Sequence, residues 1–109
     1  MTFEEYQKKS HETAFYPVFG KGYVYPALGL ASEAGEVAGV IKKIIRDEKG
    51  EVSEEKREVL KSELGDVLWY IAQIATEIDI NLDKIAEDNI TKLLSRKDRG
   101  VLGGSGDNR

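Results

Sequence analysis

Four carboxylates in this chain sit among side chains that ordinarily form a buried core. Glu33 and Glu36 make an E-x-x-E, Glu63 and Asp66 an E-x-x-D, each embedded in valines, leucines and isoleucines. On a helical wheel at about 100° per residue, Leu30, Val37, Val40, Ile41 and Ile44 form one apolar stripe. Glu33 falls inside it and Glu36 on its edge. The second segment repeats the layout: Val59, Leu60, Val67, Ile71, Ile74 and Ile78 form the stripe, with Glu63 inside and Asp66 on the edge. Carboxylates three apart on a helix are neighbours one turn apart. Converging between two helices, they repel one another and resist desolvation unless a cation offsets the cost. A single E-x-x-E is ordinarily a solvated helix face; a doubled one amid apolar residues is not. An all-oxygen cluster suits a hard divalent ion, Mg²⁺ or Mn²⁺, rather than zinc or copper. A ferritin-type di-iron bundle would need E-x-x-H on two helices, and His11, the lone histidine, is followed by Glu12 and Thr13. His11 reads as a surface residue.

A complementary charge follows. Asn89, Lys92, Arg96 and Arg99 recur at i, i+3, i+7 and i+10, one continuous strip of a helix. Cations favour helix C-termini on general grounds, but beside a metal-binding cluster the strip reads as a clamp for a polyanion, most naturally phosphate. Asn89 falls within the apolar arc of Leu82, Ile85, Ala86 and Leu93, where a buried amide needs partners. Five aromatics, Phe15, Tyr16, Phe19, Tyr23 and Tyr25, crowd one loop around Lys21. They either pack back on the core or form a stacking wall or lid for a planar base.

These side chains need helices to hold them, and the spacing predicts four with no strand. The first starts at Thr2, where T-x-x-E with Glu5 makes a capping box, and fades near Ala14 before Pro17. The second runs from about Pro26 to Arg46, and Asp47-Glu48-Lys49-Gly50 is its exit. Ser53 caps the third, with Glu54 and Glu55 in its first turn, and it continues to about Ile78. The fourth spans Leu82 to about Arg99 and stops at Gly100. By composition alone, the segment 100–109, with four glycines, is a mobile tail.

Composition narrows the classes. A chain of 109 residues, 40% hydrophobic and 33% charged, reads as one soluble globular domain. Its uncharged stretches, such as Val67 to Thr76, are too short for a membrane span, and the acidic start does not resemble a signal peptide. The absence of cysteine excludes disulfides, thiolate zinc sites and cysteine nucleophiles. A net charge of −4 argues against general nucleic-acid binding. The expected setting is cytoplasmic.

Three stretches carry a likeness: Gly29-Leu-Ala-Ser-Glu-Ala-Gly-Glu-Val37, Ser62-Glu-Leu-Gly-Asp-Val-Leu-Trp-Tyr70 and Asn89-Ile-Thr-Lys-Leu-Leu-Ser-Arg96. Together they resemble the MazG-like nucleoside triphosphate pyrophosphohydrolases of the all-α NTP pyrophosphatase superfamily, which also holds dimeric dUTPases and dCTP pyrophosphatases. The likeness spans roughly residues 26 to 109, about three quarters of the chain. The ending Arg99-Gly-Val-Leu-Gly-Gly-Ser-Gly-Asp-Asn-Arg109 resembles a tail of small MazG-like proteins, which shifts the reading from a mobile tail to one folded over a site or a neighbour.

The resemblance implies an all-α bundle of four to five helices, a single domain over 1–109 with its core at about 26–99. It implies hydrolysis of an NTP or dNTP to NMP and pyrophosphate. It assigns Glu33, Glu36, Glu63 and Asp66 to Mg²⁺ and Asn89, Lys92 and Arg96 to the nucleotide. On this reading Glu36, ahead of Glu33, takes the proton of the attacking water, and Arg99 joins Lys92 and Arg96 at the departing pyrophosphate. Tyr70, on the face of Glu63, contacts sugar or base, or packs in the core. An oligomer follows from pattern as well: Val67 to Ala75 is apolar nearly all round, more than a chain this short can cover. A homodimer or homotetramer is expected. The alternatives are a phosphoribosyl-ATP pyrophosphohydrolase and a non-catalytic helical module with a structural cation.

Overall fold

Local sequence decides where each helix begins. In the computed structural model, which describes residues 1–109, the order is α1 (Phe3–His11), α2 (Val24–Glu48), α3 (Glu54–Glu77) and α4 (Leu82–Asp98), with no strand. The Thr2 hydroxyl accepts from the Glu5 amide at 3.1 Å, and Ser53 from the Lys56 amide at 3.2 Å, as the caps predicted. Asn81 caps α4 by accepting from the Asp83 amide at 2.8 Å. Three boundaries differ from expectation, one of them the end of α2, which runs on through Asp47 to Glu48 instead of stopping near Arg46. α1 ends at His11, because the chain turns there and the Thr13 hydroxyl bonds back to the Ser10 carbonyl at 2.7 Å. α2 begins at Val24, ahead of Pro26, on Tyr23, which offers no capping side chain and so leaves no signal to read.

α2 and α3, 25 and 24 residues long, are joined by the short turn 49–53 and form the helical hairpin at the centre of the fold. Lys49 and Gly50 take positive φ, which lets α2 stop and the chain reverse. Ile44, Ala72 and Ala75 are buried in and around the hairpin. α1 lies on α3 and is held there by amides. Gln73, fully buried, donates to Ser10 Oγ at 2.9 Å and its Oε1 meets His11 Nδ1 at 3.0 Å. Gln7 reaches the α3–α4 corner, donating to the Ile80 carbonyl at 2.9 Å and accepting from the Leu82 amide at 2.8 Å. His11 is exposed, as expected of a surface residue.

The aromatic loop divides. Tyr16 stacks on Tyr25 at 5.6 Å, meets Trp69 edge-on at 6.1 Å and donates to the Glu77 carboxylate at 2.6 Å. Burial and the Glu77 charge push the Tyr16 phenol well above its ordinary range. Phe15 and Phe19 remain exposed. Trp69 Nε1 donates to Thr13 Oγ1 at 2.9 Å, so the side of α3 turned from α2 is covered by α1 and the loop of the same chain. Val67, Leu68, Trp69, Tyr70, Ile71 and Ile74 of this run are half-buried within the single chain.

The bare surface lies elsewhere. Only eight of the 109 residues are buried. The radius of gyration is 16.7 Å, against about 13 Å for a compactly packed chain of this length. α4 touches the rest mainly at α1, and Ile85, Ile90, Leu93 and Leu94 along it are exposed. Asn89, expected within a buried arc, is exposed for the same reason. No helix is long and apolar enough to cross a membrane.

Candidate metal centre and anion pocket

The α2–α3 hairpin brings three of the four carboxylates together. One oxygen from each of Glu33, Glu63 and Asp66 lies within 4.8 Å of the others. Glu33 and Glu63 are half-buried and Asp66 is exposed. Glu36, one turn further along α2, is exposed and stands outside this trio. The apolar stripes explain the placement: each pulls its face toward the other helix and carries the carboxylate at its centre inward. The carboxylates at the edges stay wet.

Electrostatics record the crowding. Desolvation, then the charges of Asp66, Glu63 and Glu36, raise the Glu33 carboxyl above the usual carboxylate range. No lysine or arginine forms an ion pair with any of the four. A set of hard oxygens held together against their own repulsion, with no internal cation, has the donor chemistry of a divalent-ion site.

Tyrosines border the cluster. The Tyr70 hydroxyl is raised by burial and by the nearby charges of Tyr25, Glu33 and Asp66. The Tyr6 hydroxyl, on α1, is raised by burial and by Asp66. Tyr70 therefore sits at the carboxylates, as its spacing from Glu63 suggested, while packing edge-on against Trp69 at 5.0 Å. Tyr6 is not legible in the sequence, because the capping box of the first helix marks only its start and none of the three likeness stretches reaches it.

The cation strip is elsewhere in the chain. Lys92, Arg96 and Arg99 line an open groove of about 380 Å³ together with residues 107–109. None of the four carboxylates lines it. α4, which carries these cations, packs on α1 rather than along α2 and α3, which carry the carboxylates. Arg96, read as a phosphate ligand, is buried, and its guanidinium donates to the Asp107 carboxylate at 3.1 Å and to the Asp107 carbonyl. Asp107 and Arg109 escaped the sequence reading because glycine-rich composition hides two specific charges.

Residues 26–101 match the family model of the MazG nucleotide pyrophosphohydrolase domain. The chain belongs to this family. The match covers all four carboxylates and the whole of α4; α1 and the last eight residues fall outside it. The chain is also similar to the "Gene 37 protein" of Mycobacterium phage L5, 47% identical over an alignment spanning the full length of both. No solved structure matches.

Proposed function

We propose that the chain is a Mg²⁺-dependent nucleoside triphosphate pyrophosphohydrolase, converting an NTP or dNTP and water to the monophosphate and pyrophosphate. The observation that carries this reading is the convergence of Glu33, Glu63 and Asp66 within the matched MazG segment. These three, with Glu36 beside them, would hold Mg²⁺, or Mn²⁺ in its place. Such an ion supplies charge screening for the phosphates and acidifies water. Glu36, the least engaged carboxylate, takes the proton of the water that cleaves the anhydride between the α- and β-phosphates. Lys92 and Arg99 neutralise the pyrophosphate that leaves. Tyr70, beside the cluster, borders the sugar or base.

The carboxylates and the cations stand apart within one chain, so the reading includes a homodimer or homotetramer. Laying α4 of one copy along α2 and α3 of another covers the exposed leucines and isoleucines and completes the site. Nucleotide-pool housekeeping in a cytoplasmic setting is the role that this chemistry suits.

The test is pyrophosphate release with Mg²⁺ across a panel of NTPs, dNTPs and phosphoribosyl-ATP. Glu36→Ala should lower kcat by about 10²–10⁴, the usual worth of a general base, and Asp66→Ala should abolish turnover, both with helicity retained. Turnover surviving in both variants would overturn the site. Exclusive cleavage of phosphoribosyl-ATP would move the assignment to that substrate, and no release from any would leave a helical module with a structural cation.

A further inference from the structure

Composition marks residues 100–109 as a mobile tail, but the structure folds them around one side chain. α4 ends in a Schellman arrangement: the Val101 amide donates to the Arg96 carbonyl at 2.8 Å and the Gly100 amide to the Lys97 carbonyl at 3.1 Å. Gly104 and Gly106 then adopt φ of 92° and 87°, a backbone region closed to most other residues. The turns this creates point carbonyls inward at the Arg109 guanidinium. Its Nε donates to Val101 at 3.1 Å and Gly103 at 3.0 Å, and its Nη2 to Leu102 at 2.9 Å, while Nη1 meets Gly106. A guanidinium offers five donors in a fixed plane, and here four carbonyls are gathered on it.

The wound loop delivers Asp107 to α4. Its Oδ1 lies 3.0 Å from Lys92 Nζ and 3.1 Å from Arg96 Nη2. The consequences for the two cations differ. The Arg96 side chain is 6% exposed and anchors the loop, so it has no free face for a ligand. Lys92 is 39% exposed and keeps two donors beyond its bond to Asp107. Arg99 spends only its Nε, on Ser95 Oγ at 3.1 Å. The groove lined by these groups carries four cations against two carboxylates.

We propose that Arg109 and Asp107 are positioning residues: they fold the tail into one wall of a polyphosphate-binding pocket whose ligand-facing cations are Lys92 and Arg99, with Arg96 as the anchor. The ligand class, a polyphosphate, rests on the function proposed above, but the pocket can be tested without turnover. Arg109→Lys keeps the charge and loses the planar fork that spans four carbonyls, so it separates loop architecture from simple attraction.

The experiment is calorimetric titration of inorganic tripolyphosphate, in EDTA at low salt, into the wild type, Arg109→Lys and Arg109→Ala, with circular dichroism to confirm unchanged helicity. Both variants should weaken binding by about tenfold, the loss of one good charge-assisted contact. In pyrophosphate release, KM should rise by a similar factor and kcat should change less. Equal affinity for Arg109→Lys and wild type would overturn the proposal, and so would tighter binding, which would make the tail a cover over the cations. Absence of tripolyphosphate binding by the wild type would do the same. Failure of the function itself is read separately, as no pyrophosphate from the wild type with any nucleotide.

Discussion

Gly29 of α2 lies directly against the ring of Tyr70 on α3, so close that a Cβ at residue 29 would overlap the ring. The contact joins the two motif segments one turn from the carboxylates: Gly29 precedes Glu33 by four residues and Tyr70 follows Asp66 by four. Glycine at 29 therefore sets how closely α2 and α3 approach where Glu33 faces Glu63 and Asp66. Gly29→Ala gains about 1 kcal/mol of helix propensity, but overpacking of this kind costs about 1–3 kcal/mol. The overlap is with a half-buried ring wedged against Trp69, so the cost should win. The expected result is a lower denaturation midpoint together with weaker Mg²⁺ binding. A variant as stable as wild type would show that the ring swings aside freely.

Glu33 offers a test of stored repulsion. Its carboxyl is raised by desolvation and by three neighbouring carboxylates, so the folded state binds that proton more tightly than the unfolded chain does. The contribution to stability is thus fully present below the ordinary glutamate range and is lost as pH rises through the raised native value. At neutral pH the charged side chain works against folding. Glu33→Gln should raise the Tm of the metal-free protein. Added Mg²⁺ should raise the Tm of the wild type and leave that of the variant nearly unchanged, because ligand binding stabilises only where the site survives. A variant less stable than wild type in EDTA would contradict this account of the cluster.

What the sequence disclosed and what it hid follow from the range of the forces involved. Thr2, Ser53 and the glycine at 100 act within a turn of themselves, so three helix ends were readable from neighbouring residues. Glu33 and Glu63 were readable because periodicity alone places them at the centre of apolar stripes, and a hairpin is the simplest way to bury both. Tyr23, which starts α2 without a capping side chain, gave no signal. Gln73 reads as one more position in an apolar run until Ser10 and His11, more than 60 residues earlier, are seen to satisfy its amide. Asn89 was misread as buried because the wheel describes a helix's own pattern, and whether that arc is covered depends on what packs against α4. For the tail, composition alone points to mobility, and only the likeness of residues 99–109 to the tail of small MazG-like proteins points to a folded segment. Composition averages over Arg109, and one guanidinium orders the segment.

Asp107 gives the tail a pH signature. Its hydrogen bonds to Lys92 and Arg96, and then the charge of Lys92, hold its carboxyl below the usual aspartate range. A depressed carboxyl contributes to docking above the ordinary aspartate value, and the contribution is lost as pH falls through the lowered native one. The tail should therefore stay seated while ordinary aspartates titrate, and release only at more acidic pH. Amide chemical shifts of Gly104 and Gly106 followed through an acid titration report this directly. Movement of those signals already in the ordinary aspartate range would mean that Asp107 is not held as described.

Association between copies rests on the outward leucines and isoleucines of α4. Ile90 and Leu94, one turn apart, are 56% and 55% exposed, and Leu28, Ile45 and Leu64 on α2 and α3 are exposed to a similar degree. Fully burying a side chain of this size contributes about 1.5–3 kcal/mol, so the α4 pair against the hairpin of a second chain supplies a specific driving force. An aspartate at 94 removes one such contribution and adds the cost of desolvating a charge. Leu94 makes no part of the buried core of its own chain, so Leu94→Asp should keep its helicity. By multi-angle light scattering at micromolar concentration, the wild type should run as a dimer or tetramer and Leu94→Asp as a monomer, with pyrophosphate release lost alongside. A monomeric wild type that turns over nucleotide at full rate would sink the shared site, because the α4 cations would then have to reach Glu33, Glu63 and Asp66 within one chain.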